Sequence, residues 1–396
     1  MLNRKIDIII FSLLMCLISL PVYNNISSDR FKYEKFLINE YNVIPKYNKT
    51  DLKYIPKPEH PDLASYQNYF MTLDPQLGYV PLDRLKNSFR YTTSLNNNRN
   101  IQWENTGTRM GGRTRTLVYD PNDENNEKVW AGGVTGGLWY NNNISDGNSP
   151  WIPVDDLWDN LVISSIVFDP NDNNIIYVGT GEANTAIITY RESSGRGIGI
   201  WKSIDSGNSW NLLTSTENFA YITDIVVNND SEVYAGVVSG TYYGLQESLP
   251  TDGLYKSSDQ GDTWTQVLPL IHNDSSPYAP SDIEISQNGR IFVGTMKNIN
   301  GNGGSHILYS DTGNINDWNI YDDMYDIILN DDDYNIPGRV VLSSSLNNPD
   351  IIYAVLGSGF LNDYGFNYSY GNYIIKSYDN GVSWNSKNIP DDYDNH

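Results

Sequence analysis

The sequence predicts an all-β fold, a β-propeller of four-stranded blades, and three observations carry that expectation. A nine-residue motif recurs as KSIDSGNSW (202–210), KSSDQGDTW (256–264) and KSYDNGVSW (376–384). Around it lie short runs rich in Val, Ile, Tyr and Thr, separated by Asn, Asp and Gly, which is the composition of strands joined by tight turns. The runs come in sets of four. Opening strands begin near Arg115, Ser164, Thr223, Asp282 and Arg339, so the sets are 49, 59, 59 and 57 residues apart, a period suited to propeller blades.

The first segment stands outside this pattern. Arg4 and Lys5 precede an apolar run from Ile8 to Leu20 that Pro21 closes, the layout of a secretory signal peptide over residues 1–22. The run is shorter than the ~20 residues a membrane-spanning helix needs. The expectation is export by the Sec route to the exterior or the cell surface, with no membrane insertion. Cys16 is the single cysteine and lies inside this run, so the mature chain is expected to have no disulfide.

Residues 23–100 form a leader with few glycines. In HPDLASYQNYFMTLDP, Pro61 in the first turn and Leu63, Tyr66 and Phe70 at helical spacing predict a short helix with one apolar face. The propeller follows over 101–396. One blade reads ISSIVFDPNDNNIIYVGTGE, a loop, then GIGIWKSIDSGNSWNLL: two strands around a turn, a third ending at the motif, and a fourth carrying its Trp.

The motif, called the box below, explains itself as a hairpin turn. Gly207, Gly261 and Gly381 supply positive φ, while Asp205, Asp259 and Asp379 fold back onto backbone N–H groups, and Ser203, Ser257 and Ser377 do the same more weakly. Trp210, Trp264 and Trp384 bury a large ring beside the turn. Box serines at 203, 257 and 377 leave intervals of 54 and 120, so one box is missing. Ser310, Asp311, Gly313 and Trp318 are its eroded copy, and a worn unit before the first box places Trp151 in a fourth strand, giving five units. Acids spread this widely do not converge on one bond, so the box is scaffold. NIQWENTG (100–107) also reads as a fourth strand, with Trp103 in the box position. It is expected to cap the edge of the last blade or to lack a strand partner, leaving five blades in an open arc of a truncated propeller.

The Ser-x-Asp-x-Gly-x-x-Trp repeats resemble the Asp-box, or BNR, motif of sialidases, xyloglucanases and sortilin-type receptors. Together with HPDLASYQNYFMTLDPQLGYVPLDRL, GGRTRTLVYDPND, VWAGGVTGGLW and YVGTGEANT, they are similar to large exported propeller proteins of Bacteroidetes of the kind shipped by type IX secretion, which are called sortilin-like or glycosyl-hydrolase-like. The resemblance implies further β-domains and a C-terminal sorting domain beyond IPDDYDNH. In the xyloglucanase relatives a catalytic Asp precedes a hydrophobic residue and a Gly-Gly pair in the first blade. The matching stretch is Val134-Thr135-Gly136-Gly137, with Val in the acid's place, which speaks against a two-carboxyl inverting mechanism.

Charge narrows the partners. With 26 Lys and Arg against 48 Asp and Glu the chain carries a net charge of −22, which repels nucleic-acid phosphates and anionic lipid. Sialidase-like chemistry needs convergent arginines and acids, for which Arg113, Arg115, Arg191, Arg196, Arg339 and Glu182 are the available groups. Among these, Arg113, Arg115, Arg191, Arg196 and Glu182 are the candidate ligand-binding residues, and Glu182, Arg113 and Arg115 the candidate catalytic ones. Arg113 and Arg115 begin an innermost strand and are expected to line the channel. His60, His272, His306 and His396 are too scattered for a zinc site. DPNDEN (120–125), DPNDNN (169–174) and NDDDY (330–334) resemble calcium loops only in their oxygen content; tight turns are the preferred reading, and no cofactor is expected, with calcium kept as the alternative. Loops at 182–198, 239–252, 298–305 and 357–372 are rich in Gly, Tyr and Asn, suited to polar and stacking contacts with an extracellular glycan or peptide. The rival is a glycoside hydrolase using Glu182 with channel arginines.

Overall fold

A computed structural model of the chain describes residues 35, 91, 112–183, 195–240, 251–362 and 365–387. The chain divides into two units, Met1–Glu104 and Asn105–His396. In the first, only Lys35 and Tyr91 are described, each helical and exposed. The expected signal peptide, the helix at 61–70 and the strand at 100–107 lie outside the described residues.

The second unit is a series of five four-stranded antiparallel sheets, each built from four consecutive strands. The first holds β1 (Thr114–Tyr119), β2 (Val129–Gly133), β3 (Gly137–Asn141) and β4 (Ile152–Pro153). The second holds β5 (Ile163–Asp169), β6 (Asp172–Thr180), β7 (Ile200–Ser203) and β8 (Asn211–Leu212). The third holds β9 (Tyr221–Val227), β10 (Val233–Val238), β11 (Gly253–Ser257) and β12 (Thr265–Gln266). The fourth holds β13 (Ala279–Ile285), β14 (Ile291–Met296), β15 (Ile307–Ser310) and β16 (Asn319–Tyr321). The fifth holds β17 (Ile336–Ser344), β18 (Ile352–Asn362), β19 (Gly365–Ser377) and β20 (Asn385–Lys387). These are propeller blades, and their order is the one the sequence period implies.

The box geometry is the same at all three sites. The serine Oγ donates to the aspartate Oδ1 at 2.8, 2.8 and 2.7 Å for Ser203, Ser257 and Ser377. It also accepts the N–H of Gly207, Gly261 or Gly381 at 2.9, 2.8 and 2.8 Å. Trp210, Trp264 and Trp384 each donate Nε1–H back to the box glycine carbonyl, at 3.0, 3.0 and 3.2 Å. Ser206, Gln260 and Asn380, just before those glycines, are left-handed as well, so two successive positive-φ residues make the turn.

Two details differ from the sequence reading. The tryptophans precede the fourth strands rather than lying in them, and their rings are half-buried. In the eroded copy the acid is Asp317, which accepts from Ser310 Oγ at 3.2 Å and Thr312 Oγ1 at 2.6 Å, whereas Asp311 has been released to pair with Arg290 at 2.7 Å. In the first sheet Asn141 does the work of the acid, accepting from Ser149 Oγ at 2.7 Å and Asn143 N–H at 2.8 Å. The DPND stretches are turns: Asp120 accepts Asn122 N–H and Trp130 Nε1–H, each at 2.9 Å, and Asp123 accepts Glu127 and Lys128 N–H, each at 2.7 Å.

The core lies in the joints between sheets. Trp130 of β2 packs with Ile166, Phe168 and Trp201 of the second sheet, and Tyr177 of β6 with Ile222, Ile225 and Val233 of the third. Tyr234 packs with Ile283 and Val293, and Phe292 with Val340, Leu342 and Ala354, where a short helix, α1 (Asp323–Leu329), adds Met324 and Ile328. Burying each such large side chain contributes about 1.5–3 kcal/mol. The series stays open: Leu117 and Tyr119 of β1 are 56% and 53% exposed, whereas Ile166 and Phe168 at the same places in β5 are buried.

Candidate functional site

Antiparallel pairing fixes which side chains share a rim. Ile163 at the start of β5 faces Thr180 at the end of β6, and Thr114 of β1 faces Gly133 of β2. The starts of the innermost strands and the loops after the second strands therefore lie at one rim, and the box turns lie at the other.

At the loop-bearing rim Glu182 is buried, and its N–H donates to Gly195 O at 2.9 Å. Gly181 before it has φ 108°, and a Cβ there would come within 2.6 Å of Ala220 O, so only glycine brings the chain through this point. Arg196 is exposed while its carbonyl accepts Asn160 Nδ2–H at 2.7 Å. Arg113 is exposed and its carbonyl accepts Val134 N–H at 3.0 Å. Arg191 lies outside the described residues.

Arg115 points into a group of charges that no single blade supplies. Burial lowers its pKa, Glu182 opposes that, Arg339 adds to it, and Asp282 and Asp224 oppose it. Of the sequence candidates, the fold thus brings Arg115 and Glu182 close enough for their charges to interact. It joins to them Arg339 on β17, one of the arginines named for that chemistry, and two groups that were not singled out as site residues, Asp224 on β9 and Asp282 on β13. The available signal was positional, since Asp224 and Asp282 each precede the buried isoleucine of an opening strand.

The two aspartates are unusual carboxyls. Asp224 Oδ1 accepts from Ser165 Oγ and from Ile225 N–H, both at 2.8 Å, and Asp282 Oδ2 accepts Leu342 N–H at 2.6 Å. Each keeps some exposed surface, yet protein surrounds them closely enough to exclude most water. Burial pushes both pKa values up, and the charge of Asp224 raises Asp282 further. Two neighbouring carboxyls that resist ionising can hold a proton near neutrality and donate it in a hydrogen bond.

Further round the same rim, Asp274 is tied by amides: Asn298 Nδ2 and Asn302 Nδ2 donate to Oδ2 at 3.1 and 2.8 Å, and Asn300 Nδ2 to Oδ1 at 2.5 Å. Burial opposes its ionisation, but Asn302, Asn298, Asn300 and the Ser276 N–H together outweigh that and hold it well below the usual range. His306 is buried with Nδ1 2.8 Å from Gly304 O, and burial lowers its pKa. At the opposite rim a polar cleft of about 900 Å³ lies between the third and fourth sheets, but its lysine, Lys256, is held by Glu232 at 2.9 Å. Among the described residues no group of three His, Cys, Asp or Glu is placed to hold a metal ion, and no helix is long and apolar enough to cross a membrane.

No family model matches the chain. It is 26% identical over 243 residues to a xyloglucanase of Acetivibrio thermocellus, covering 57% of this chain and 25% of that protein. A xyloglucanase of a Paenibacillus species is 23% identical over 186 residues, covering 43% and 16%. The chain thus spans about a quarter or less of the length of these curated relatives. Among solved structures, an ancestral GH74 enzyme aligns with a TM-score of 0.42 at 17% identity over 65% of this chain and 32% of that one. The Niastella koreensis GH74 enzyme aligns with 0.38 at 19% identity over 70% and 45%.

Proposed function

We propose that this chain is an extracellular carbohydrate-binding β-propeller that holds a polysaccharide on its loop-bearing rim without hydrolysing it. The observation that carries the reading is Val134. It stands where the xyloglucanase pattern has its acid, it is 5% exposed, and its N–H is bound to Arg113 O at 3.0 Å, so no carboxyl occupies that place beside the Gly-Gly turn. The box aspartates are spent on turn donors, and Asp274 is saturated by amides. What the rim offers is exposed Arg113 and Arg196 and asparagine-rich loops, groups that bind hydroxyls without cleaving a glycosidic bond. The xyloglucanase relatives support a plant β-glucan as the polymer class.

A second reading follows from Asp224 and Asp282, whose raised pKa values suit a general acid. Their oxygens are occupied by main-chain and hydroxyl donors, which favours a supporting role. Incubation with xyloglucan, mixed-linkage glucan and arabinoxylan decides between the two. Retention of xyloglucan in affinity electrophoresis with no new reducing ends is expected. Reducing-end release that disappears in Asp282→Asn would overturn the binding-only reading, and neither retention nor cleavage of any of the polymers would overturn both.

A further inference from the structure

The cations of the sheets divide by rim. At the box-turn rim they are engaged: Lys128 pairs with Asp120 at 2.7 Å, Lys256 with Glu232 at 2.9 Å and Arg290 with Asp311 at 2.7 Å, while Lys202 Nζ donates to Gln260 O at 2.9 Å. At the loop-bearing rim the side chains of Arg113, Arg196 and Lys297 have no hydrogen-bond or ion-pair partner among the described residues. In a chain with 48 Asp and Glu against 26 Lys and Arg, an unpaired cation is the exception. Arg113 and Arg196 are exposed, so water satisfies them. Lys297 is different: it is half-buried, burial lowers its pKa, and no neighbouring charge offsets this. Taking an ammonium out of water without a partner is costly, and one carboxylate beside it would offset the loss.

The surroundings hold Lys297 in that state. It follows β14 and stands three residues after Gly294, as Glu182 stands three after Gly179, so it takes at the fourth sheet the place that Glu182 takes at the second. A Cβ on Gly304 would lie 3.4 Å from Lys297 Cγ and 2.8 Å from Gly338 O, so the lysine stem lies against a glycine that is itself set tightly on the fifth sheet. The next residue, Asn298, is fully buried, and its Oδ1 accepts the N–H groups of Asn300 and Asn302, both at 3.0 Å. Those bonds fix the adjoining loop. Asp274, the acid that this loop reaches, is engaged by Asn298 and Asn302 at 3.1 and 2.8 Å and does not pair with Lys297. A stem held in place with an unmatched charge at its end is preorganised for an anion.

We propose, resting on the carbohydrate-binding reading above, that Lys297 seats a single carboxylate carried on a side chain of the polysaccharide, so that the polymer held at this rim is a largely neutral glucan with isolated acidic substituents. One ammonium with no second cation beside it suits one monoanionic group rather than a phosphate, which calls for several donors. The net charge of −22 disfavours a densely charged polymer, because repulsion summed over many substituents outweighs one contact. An isolated carboxylate escapes most of that field, which salt screens beyond about 10 Å.

Affinity electrophoresis of the full chain on three forms of xyloglucan tests this: the neutral polymer, one with a small fraction of its side-chain primary alcohols oxidised to carboxylate, and one oxidised throughout. The sparsely oxidised form should be held about tenfold more tightly than the neutral one, and the fully oxidised form less tightly than either. Lys297→Met keeps the stem and removes the charge, so it should hold the sparse and neutral forms alike, and Lys297→Arg should restore the preference. The melting temperature of Lys297→Met should not fall, since the lysine has no partner to lose. Equal retention of the neutral and sparse forms by the unaltered protein, a preference that survives Lys297→Met, or tightest retention of the fully oxidised form would overturn the role of Lys297 and leave the carbohydrate reading standing. Retention of none of the three would overturn both.

Discussion

Gly207 lies directly against the six-membered ring of Trp130, leaving no room between them for a methyl group. The contact spans the first joint, so a residue whose φ of 83° serves a hairpin also sets how closely two sheets approach. Gly207→Ala should cost about 2–4 kcal/mol, combining left-handed strain with overpacking. Gly289, at φ 82° with nothing near its missing Cβ, pays only the strain, so Gly289→Ala should cost about 1–2 kcal/mol. Urea unfolding of the pair measures the packing share as the difference.

The channel aspartates give stability an opposite pH slope to ordinary acids. Their folded pKa values are raised, so the stability their protonated forms provide is complete below about pH 4 and is lost as pH rises through the raised values. Asp282→Asn keeps an acceptor for Leu342 N–H and removes the charge. It should stabilise the protein by about 1–2 kcal/mol at pH 8, a gain of a few degrees, and by little at pH 4. Melting curves across that range check it; an equal effect at both ends would count against a shared burden of burial.

Box acids behave in the reverse sense. The hydroxyl and N–H of Thr263 and the hydroxyl of Ser257 hold Asp259 down to about 2. This contribution is present above the ordinary aspartate value and is lost as pH falls toward 2. Thr263→Val removes the Oγ1–H donor at 2.5 Å, and the Asp259 midpoint read by carboxyl NMR should move up toward the ordinary range.

Trp264 is half-buried, donates to Gly261 O at 3.0 Å and lies edge-on to Phe219 at 5.8 Å. Trp264→Ala should destabilise by about 3 kcal/mol, at the low end for a large aromatic because the ring is not fully enclosed. Polysaccharide retention at a temperature where the variant is folded should be unchanged, since the box turn is at the far rim.

Arg113 and Arg196 present exposed side chains on the loop-bearing rim. Replacing both by Ala should leave the melting temperature within about 1 °C and weaken polymer retention severalfold. Undiminished retention would move the binding surface elsewhere.

What the sequence determined by itself was everything held by short-range bonds. A Ser, an Asp two residues on, a Gly two further and a Trp three beyond close their hydrogen bonds within a few residues of one another, so their spacing alone announced the turn, the sheet repeat and the scaffold role. The strand repeat alone placed Arg115 at the start of an inner strand and Glu182 at the end of a second one. Only the tertiary structure decided what meets across a joint. Ser165 reaches Asp224 from 59 residues away, and Leu342 reaches Asp282 from 60, so their chemistry depends on how one sheet is set against the next. The same holds for Asp317 replacing Asp311, a choice made when Arg290 claimed the nearer acid. Local periodicity specifies a blade because its bonds are internal, whereas exposure and proton affinity depend on what the neighbouring sheet brings.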